Sequence, residues 1–264
     1  MNRPNEMPSA VGARVAGDDY QWLHGWRVCM EMLHEHITSK TANPITAVGV
    51  EVPGVGNFDD IVAYRVQPPH TYMQVKYAVD HRTPVNLAYL DAESILAKMV
   101  KAHRDLTTEK TPVDMRLVSN RSVDPTDILM KDLEGRDRRI VPRALQGSAK
   151  SDRGKARTAW AAVAEVNETA LIAFLNELHF DISYNVDSLH KEVSLLMTAN
   201  GLRCDAIAVL LGQAWVRDQV VAGHRRLTIE DVQQAITDLD LHAGSPWVKR
   251  PRFSAAPIRG AALG

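Results

Sequence analysis

The sequence predicts an α/β fold, in which a mixed sheet is flanked by helices and followed by an all-helical segment. An apolar stripe at helical spacing comes first, between residues 18 and 37. Runs rich in β-branched residues follow between residues 45 and 77, separated by Gly and Pro turns. From residue 155 to residue 242 helical periodicity dominates. Strands and helices in this order favour a sheet covered by helices.

The first predicted helix begins at Asp18, after residues 1–16, which are expected to be a disordered lead-in. Its apolar residues recur three or four positions apart and form one face, which contains Leu23, Trp26, Met30, Leu33 and Ile37. Such spacing is typical of an amphipathic helix that packs on a core. The Asn43-Pro44 pair marks the end of this region.

Strands are predicted over Ile45–Val52, Ile61–Val66 and Tyr72–Tyr77. A turn over residues 53–57 and the Pro68-Pro69 pair separate them. Turn-separated β-rich runs of this length favour neighbouring antiparallel strands.

A helix over Ala92–Leu106 and a strand over Val113–Val118 follow these strands, which favours a mixed sheet. In the later segment, Thr228 and Asp231 form a pattern like a capping box at the start of the last helix. The pattern divides the chain into a lead-in over residues 1–16, an α/β core over 17–150, a helical extension over 155–242 and a linker or tail over 243–264. The linker-like tail leads us to expect that the chain is the N-terminal part of a longer protein.

Composition places the chain among globular proteins of a reducing compartment. The 264 residues are 45% hydrophobic and 24% charged, with a net charge of −1. Neither a membrane span nor a secretory signal is visible. The cysteines Cys29 and Cys204 lie far apart, outside any CxxC pattern, so we expect a cytoplasmic protein without a disulfide framework.

The residues that carry chemistry lie between positions 51 and 76. Gln74 and Lys76 are two apart on a predicted strand and therefore point to the same face. Asp60 begins the preceding strand and is expected to approach that face if the two strands pair. A hard cation such as Mg²⁺ or Mn²⁺ prefers oxygen ligands, which the Asp60 carboxylate, the Gln74 amide and the Val75 carbonyl can provide. Lys76 is then placed to orient water or to stabilise negative charge.

Simpler interpretations of the same residues remain open. An Asp-Asp pair at the start of a strand often caps a turn, and Asp59, which should point away from Asp60, fits that role. A Gln-x-Lys pattern is often the solvent face of an edge strand, and short motifs have many false positives.

A wider set of motifs resembles the PD-(D/E)xK nuclease superfamily. These are a helix opening with Gly17-Asp18-Asp19-Tyr20-Gln21, then Glu51, Asp59-Asp60-Ile61-Val62, and Gln74-Val75-Lys76. The QxK ending is similar to the Mrr-like branch, and the chain resembles the N-terminal nuclease domain of Cap-type, CBASS-like effectors in bacterial anti-phage defence. The resemblance implies a restriction-endonuclease-like core over residues 17–150.

Residue by residue, the resemblance implies that Asp60 binds metal, that Gln74 holds the acid-or-glutamine position and that Lys76 is the catalytic lysine. Gln21 stands where many relatives have a glutamate, so at this position the helix offers an amide in place of the second metal carboxylate. Glu31, further along the helix, and Glu51 are the candidates to replace it.

The resemblance further implies a metal-dependent endonuclease that cuts double-stranded DNA with little sequence specificity. A sensor or NTPase module, fused downstream or bound in trans, and a homo-oligomer are the expected partners. The alternatives are a non-catalytic nucleic-acid-binding or assembly module that keeps the fold, and an RNase with the same core.

A basic stretch between Gly135 and Arg157 is the expected contact for DNA phosphates, although a charge run of this kind is as often a solvated loop. The candidate DNA-binding residues within it are Arg138, Arg139, Arg143, Lys150 and Arg153.

Overall fold

The computed structural model describes residues 10–107, 111–131, 133–134, 138–140 and 142–243. The helices are α1 (Ala10–Thr38), α2 (Leu87–Asp91), α3 (Ile95–Leu106), α4 (Asp152–Val163), α5 (Glu168–Glu177), α6 (Val186–Ala199), α7 (Ala206–Val221) and α8 (Ile229–Asp238). The strands are β1 (Ile45–Val50), β2 (Ile61–Arg65), β3 (His70–Lys76), β4 (Val113–Ser119), β5 (Leu133–Glu134), β6 (Arg139–Ile140), β7 (Leu178–Ile182) and β8 (Arg226–Thr228).

A six-stranded sheet in the order β7-β4-β3-β2-β1-β8 forms the centre of the fold. The neighbours β2-β3, β1-β2 and β1-β8 are antiparallel, whereas β3-β4 and β4-β7 are parallel. The predicted α/β class, with a mixed sheet flanked by helices, is therefore confirmed. The predicted antiparallel pairing of β2 with β3 across Pro68-Pro69 is also confirmed.

Each face of the sheet carries its own apolar core. Met73, Val75 and Val118 point to one face, where they pack with α1, α6, α7 and α8. Tyr72 and Leu117, one residue away along β3 and β4, point to the other face and pack with helices that include α3 and α5. Because side chains alternate along a strand, Gln74 and Lys76 belong to the α3 face.

Helix α1 is longer than the sequence indicated. It begins at Ala10 rather than Asp18, so residues 10–16 of the expected lead-in are helical, while residues 1–9 lie outside the described chain. Val11 and Val15 are exposed in this part of the helix. Because no buried apolar face is present there, the sequence pattern did not predict the additional helical turns. The predicted buried face is confirmed for Leu23, Trp26, Met30 and Leu33, but Ile37 is 49% exposed.

The helix predicted to begin at Ala92 begins instead at Ile95. Glu93 and Ser94 both have φ of 56°, which is incompatible with a right-handed helix, so they break the chain between α2 and α3. The end at Leu106 is confirmed.

The segment over 155–242, expected to be entirely helical, also supplies two strands. Leu178, predicted to lie on a helix, begins β7, and β8 joins the opposite edge of the sheet. In α7 the large apolar residues Ile207 and Leu210 are 64% and 53% exposed. That helix is apolar on nearly every side, so periodicity does not identify its buried face.

The last helix matches its prediction. The Thr228 side chain accepts the Asp231 backbone N–H at the start of α8, and the Asp231 carboxylate accepts the Thr228 backbone N–H in return. Val232 and Ile236 are buried. Apart from Ala243, the tail over 243–264 lies outside the described residues. Over the described ranges, no helix is long and apolar enough to cross a membrane.

Candidate functional site

Asp60 contacts the β3 strand at Gln74 and Val75. The register Ile61↔Met73 places Asp60, the residue before β2, beside Gln74. The Asp60 Oδ2 atom accepts hydrogen bonds from the Gln74 side-chain amide and from the Val75 backbone N–H, the latter at 2.6 Å. The two strands therefore bring Asp60 to the residues that the sequence analysis grouped with it.

The pKa of Asp60 is strongly perturbed. Desolvation raises the pKa of its carboxyl to about 7, and the charge of Asp59 adds to the rise. The Val75 N–H, the Lys76 charge and the Gln74 amide act in the opposite direction but do not cancel it. A carboxyl of this kind gains strongly from a nearby positive charge, because such a charge favours its ionised form.

Gln74 is 2% exposed, and its Oε1 atom has no hydrogen-bond partner among the described residues. Most buried polar atoms in proteins are paired, so an orphaned amide oxygen beside a carboxylate requires an explanation. The N–H and C=O of a strand residue point to the same side, so the Val75 carbonyl also faces the Asp60 side. This set of oxygens fits a hard cation such as Mg²⁺.

Lys76 ends β3 two residues beyond Gln74 and is partly exposed. Its charge lowers the pKa of Asp60, so the two groups lie within electrostatic reach. In the described part of the chain its ammonium group has no hydrogen bond or ion pair, which leaves it available to a substrate anion.

Glu51 reaches the site through its backbone. Its N–H donates to the Asp60 carbonyl at 3.1 Å, and its own carbonyl accepts from Arg225 at 2.9 Å. Its φ of 49° turns the chain as β1 ends. The structure thus places Glu51 next to Asp60 and shows it supporting the Asp60 backbone.

Helix α1 brings an amide to the same place. Gln21 Nε2 donates to the Asp60 backbone carbonyl at 3.5 Å. Glu31, the other candidate on this helix, forms an ion pair with Arg27 at 3.5 Å. It lies ten residues further on, about 15 Å along the helix axis, and so does not replace a carboxylate at Gln21. Over the described ranges, no group of three or more His, Cys, Asp or Glu residues is arranged to hold a metal ion.

Asp59 points elsewhere. It lines a cavity of about 380 Å³ together with Lys98 and Lys101 of α3, whereas Asp60 contacts Gln74. Its backbone carbonyl accepts from the Val52 N–H at 2.8 Å. No sequence motif pointed to these two lysines, although their spacing of three places them on one side of α3.

The basic stretch is not a uniform solvated loop. Arg139, Arg143 and Lys150 are exposed, and Arg153 is partly buried. Arg157 is 2% exposed and binds Glu168 and the carbonyls of Ala144, Gln146 and Gly147. Arg157 therefore secures the chain before α4 and belongs to the structure rather than to a binding surface. Arg136 lies outside the described residues.

Arg138 lies at the same end of the sheet as Lys76. Its guanidinium donates to the Ile182 carbonyl at the end of β7. Ser119 is the register partner of both Lys76 and Ile182, so these residues form one row across three strands. At a strand spacing of about 4.8 Å, the row places Ile182 about 10 Å from Lys76.

No family model matches the chain, and no curated protein is similar enough in sequence to match it.

Proposed function

We propose that the chain is a metal-dependent endonuclease of the PD-(D/E)xK type that cuts double-stranded DNA with little sequence specificity. The observation that supports this most is the contact between the Asp60 carboxylate and Gln74, whose buried amide oxygen has no partner within the described chain. Lys76, on the same strand face, provides the cation that phosphodiester chemistry uses.

The roles follow from the chemistry of each group. Asp60 supplies the negative charge for Mg²⁺ or Mn²⁺, and the Gln74 and Val75 oxygens are neutral ligands. A cation bound there lowers the pKa of a water molecule and stabilises charge on the phosphate. Lys76 holds the attacking water or the scissile phosphate, while Glu51 and Gln21 keep the Asp60 backbone in place.

A non-catalytic nucleic-acid-binding or assembly module is the second candidate. Gln21 supports it, because an amide stands where a second carboxylate would strengthen metal binding. One carboxylate with neutral oxygens holds a divalent cation less tightly than two carboxylates do.

A nuclease with little sequence preference needs control. We therefore include in the proposal a regulatory sensor or NTPase module, fused downstream or bound in trans, and a role as the effector of a bacterial anti-phage system. Assembly into a homo-oligomer is part of the same proposal. The motif resemblance supports these partners.

The decisive experiment incubates the protein with plasmid, linear duplex DNA and RNA, each with Mg²⁺, Mn²⁺ or EDTA. The Asp60→Asn variant, purified in parallel, controls for contaminating nucleases. The proposal is supported if both DNA forms are cleaved and if this cleavage requires metal and Asp60. Binding without cleavage favours the second candidate, and cleavage of RNA alone identifies an RNase.

A further inference from the structure

A polar cavity lies on the face of the sheet opposite to Gln74 and Lys76. Its volume is about 420 Å³, and it is bordered by α1, α6 and the strands β4 and β7. None of Gln21, Glu51, Asp60, Gln74 or Lys76 lines it. The cavity is therefore separate from the candidate metal site.

Three guanidinium groups border this cavity, from Arg27, Arg116 and Arg138. Arg27 pairs with Glu192 at 3.1 Å and with Glu31 at 3.5 Å. Arg116 pairs with Asp114 at 2.9 Å and with Asp181 at 3.7 Å.

Arg138 differs from these two, since its guanidinium donates to the Ile182 carbonyl and has no carboxylate partner within the described chain. Carboxylates thus offset the charges of Arg27 and Arg116, and the guanidinium of Arg138 is left to meet an anion.

The cavity also contains buried polar atoms without partners. His24 is 1% exposed, and neither of its ring nitrogens has a hydrogen-bond partner in the described structure. The same is true of Arg27 Nε and the Tyr184 hydroxyl. Such atoms are uncommon in proteins, and their concentration at one cavity points to a polar ligand rather than to an apolar one.

His24 is suited to a neutral polar group. Burial, helped by the nearby charge of Arg27, holds the pKa of its imidazole well below its usual range. The ring is therefore neutral near pH 7 and offers one donor and one acceptor. It packs edge-on against Tyr20 and Tyr184, with ring centroids 4.6 Å and 5.0 Å away, which fixes its orientation.

We propose that this cavity binds a small phosphate monoester that carries hydroxyl groups. Arg138 binds the phosphate, because the planar guanidinium matches phosphate oxygens in pairs. Asp181, Glu192 and His24 accept hydrogen bonds from the ligand's hydroxyl groups. A volume of about 420 Å³ lies within the range of small-molecule sites.

The test measures binding of inorganic phosphate and of ribose 5-phosphate by calorimetry, without divalent metal and at constant ionic strength. Arg138→Gln should weaken both by about tenfold or more, because a hydrogen bond to a charged group contributes on that scale. Arg139→Gln is the matched control, since Arg139 is the exposed neighbour and does not line the cavity. It should bind as the unaltered protein does.

A second variant tests the hydroxyl contacts. The unaltered protein should bind ribose 5-phosphate more tightly than inorganic phosphate, and His24→Phe, which keeps the ring volume, should reduce that preference. Absence of millimolar binding by the unaltered protein overturns the proposal, as does equal binding by the Arg138 and Arg139 variants. Equal affinity of the unaltered protein for the two probes overturns the assignment of hydroxyl contacts. Asp60→Asn should bind both probes normally, so the result is independent of the nuclease proposal.

Discussion

The Asp60 carboxylate and the Gln74 side-chain amide are in direct hydrogen-bond contact, although fourteen positions separate them in the chain. The contact exists because β2 and β3 pair in the register Ile61↔Met73. It joins a carboxyl whose pKa is raised to about 7 to an amide whose oxygen lacks a partner in the described chain.

Asp60→Asn should reduce metal-dependent cleavage by more than about 100-fold, since loss of even an indirect metal contact typically costs 10–100-fold. The isosteric amide keeps an oxygen for the Val75 N–H, so the fold should persist. Asp59→Asn is the matched control and should lose much less, because Asp59 lies with Lys98 and Lys101. Cleavage rates and calorimetric Mg²⁺ titrations of both variants measure this difference. The reverse order of the two variants would reject the assignment of the metal ligand.

Lys76→Ala should abolish cleavage and change the free energy of unfolding by about 0.5 kcal/mol or less, as is usual for a surface position without bonds to other described residues. Lys191→Ala, at an exposed position of α6, controls for loss of one positive charge. Cleavage assays beside urea denaturation measure both quantities. A well-folded Lys76→Ala protein with normal cleavage would remove Lys76 from the mechanism.

The raised pKa of Asp60 predicts how stability depends on pH. An exposed aspartate has a pKa of about 4, so between about pH 4 and pH 7 the folded state binds more protons than the unfolded state. Asp60 therefore stabilises the metal-free fold fully below this window, and that stability is lost as the pH rises through about 7.

The measurement is the free energy of unfolding from pH 4 to pH 8 without metal, for the unaltered protein and for Asp60→Asn. The difference between them should change by a few kcal/mol, on the order expected for a shift of this size. Mg²⁺ should stabilise the protein more at pH 8 than at pH 5, because the ion competes with the proton. A difference that does not vary with pH would contradict the assignment.

Replacing Arg139, Arg143 and Lys150 together by Ala should flatten the dependence of log affinity for duplex DNA on log salt. Each phosphate contact contributes roughly 0.9 to that slope, so three contacts predict a change of about two to three units. Binding is measured with Ca²⁺ in place of Mg²⁺ to suppress cleavage. An unchanged slope, with a flatter slope in Lys98→Ala/Lys101→Ala, would place the DNA along α3 instead.

Arg157→Met should destabilise the fold by about 3 kcal/mol or more, because it removes a buried cation that binds Glu168 and backbone carbonyls. Lys155→Met, at an exposed position of the same helix, should stay within about 0.5 kcal/mol. Chemical denaturation measures both. Near-normal stability of Arg157→Met would show that the buried contacts contribute little.

The sequence alone predicted the elements that depend on nearby residues. The apolar stripe of α1, the turns that separate β1, β2 and β3, and the capping box at Thr228 are all patterns within a few positions. Strand alternation likewise predicted that Gln74 and Lys76 share a face, and the motif analysis selected Asp60 as their neighbour.

The tertiary structure decided what depends on distant parts of the chain. Leu178 begins a strand because this segment pairs in parallel with β4, which lies far earlier in the sequence. Arg157 is buried because Glu168 and the carbonyls before α4 surround it, although composition grouped it with solvated arginines. The raised pKa of Asp60 also results from contacts between distant parts of the chain. Such contacts also place His24 at the cavity beside Arg138. The burial of a side chain and the charges around it depend on how the whole chain packs, so local periodicity in the sequence cannot predict them.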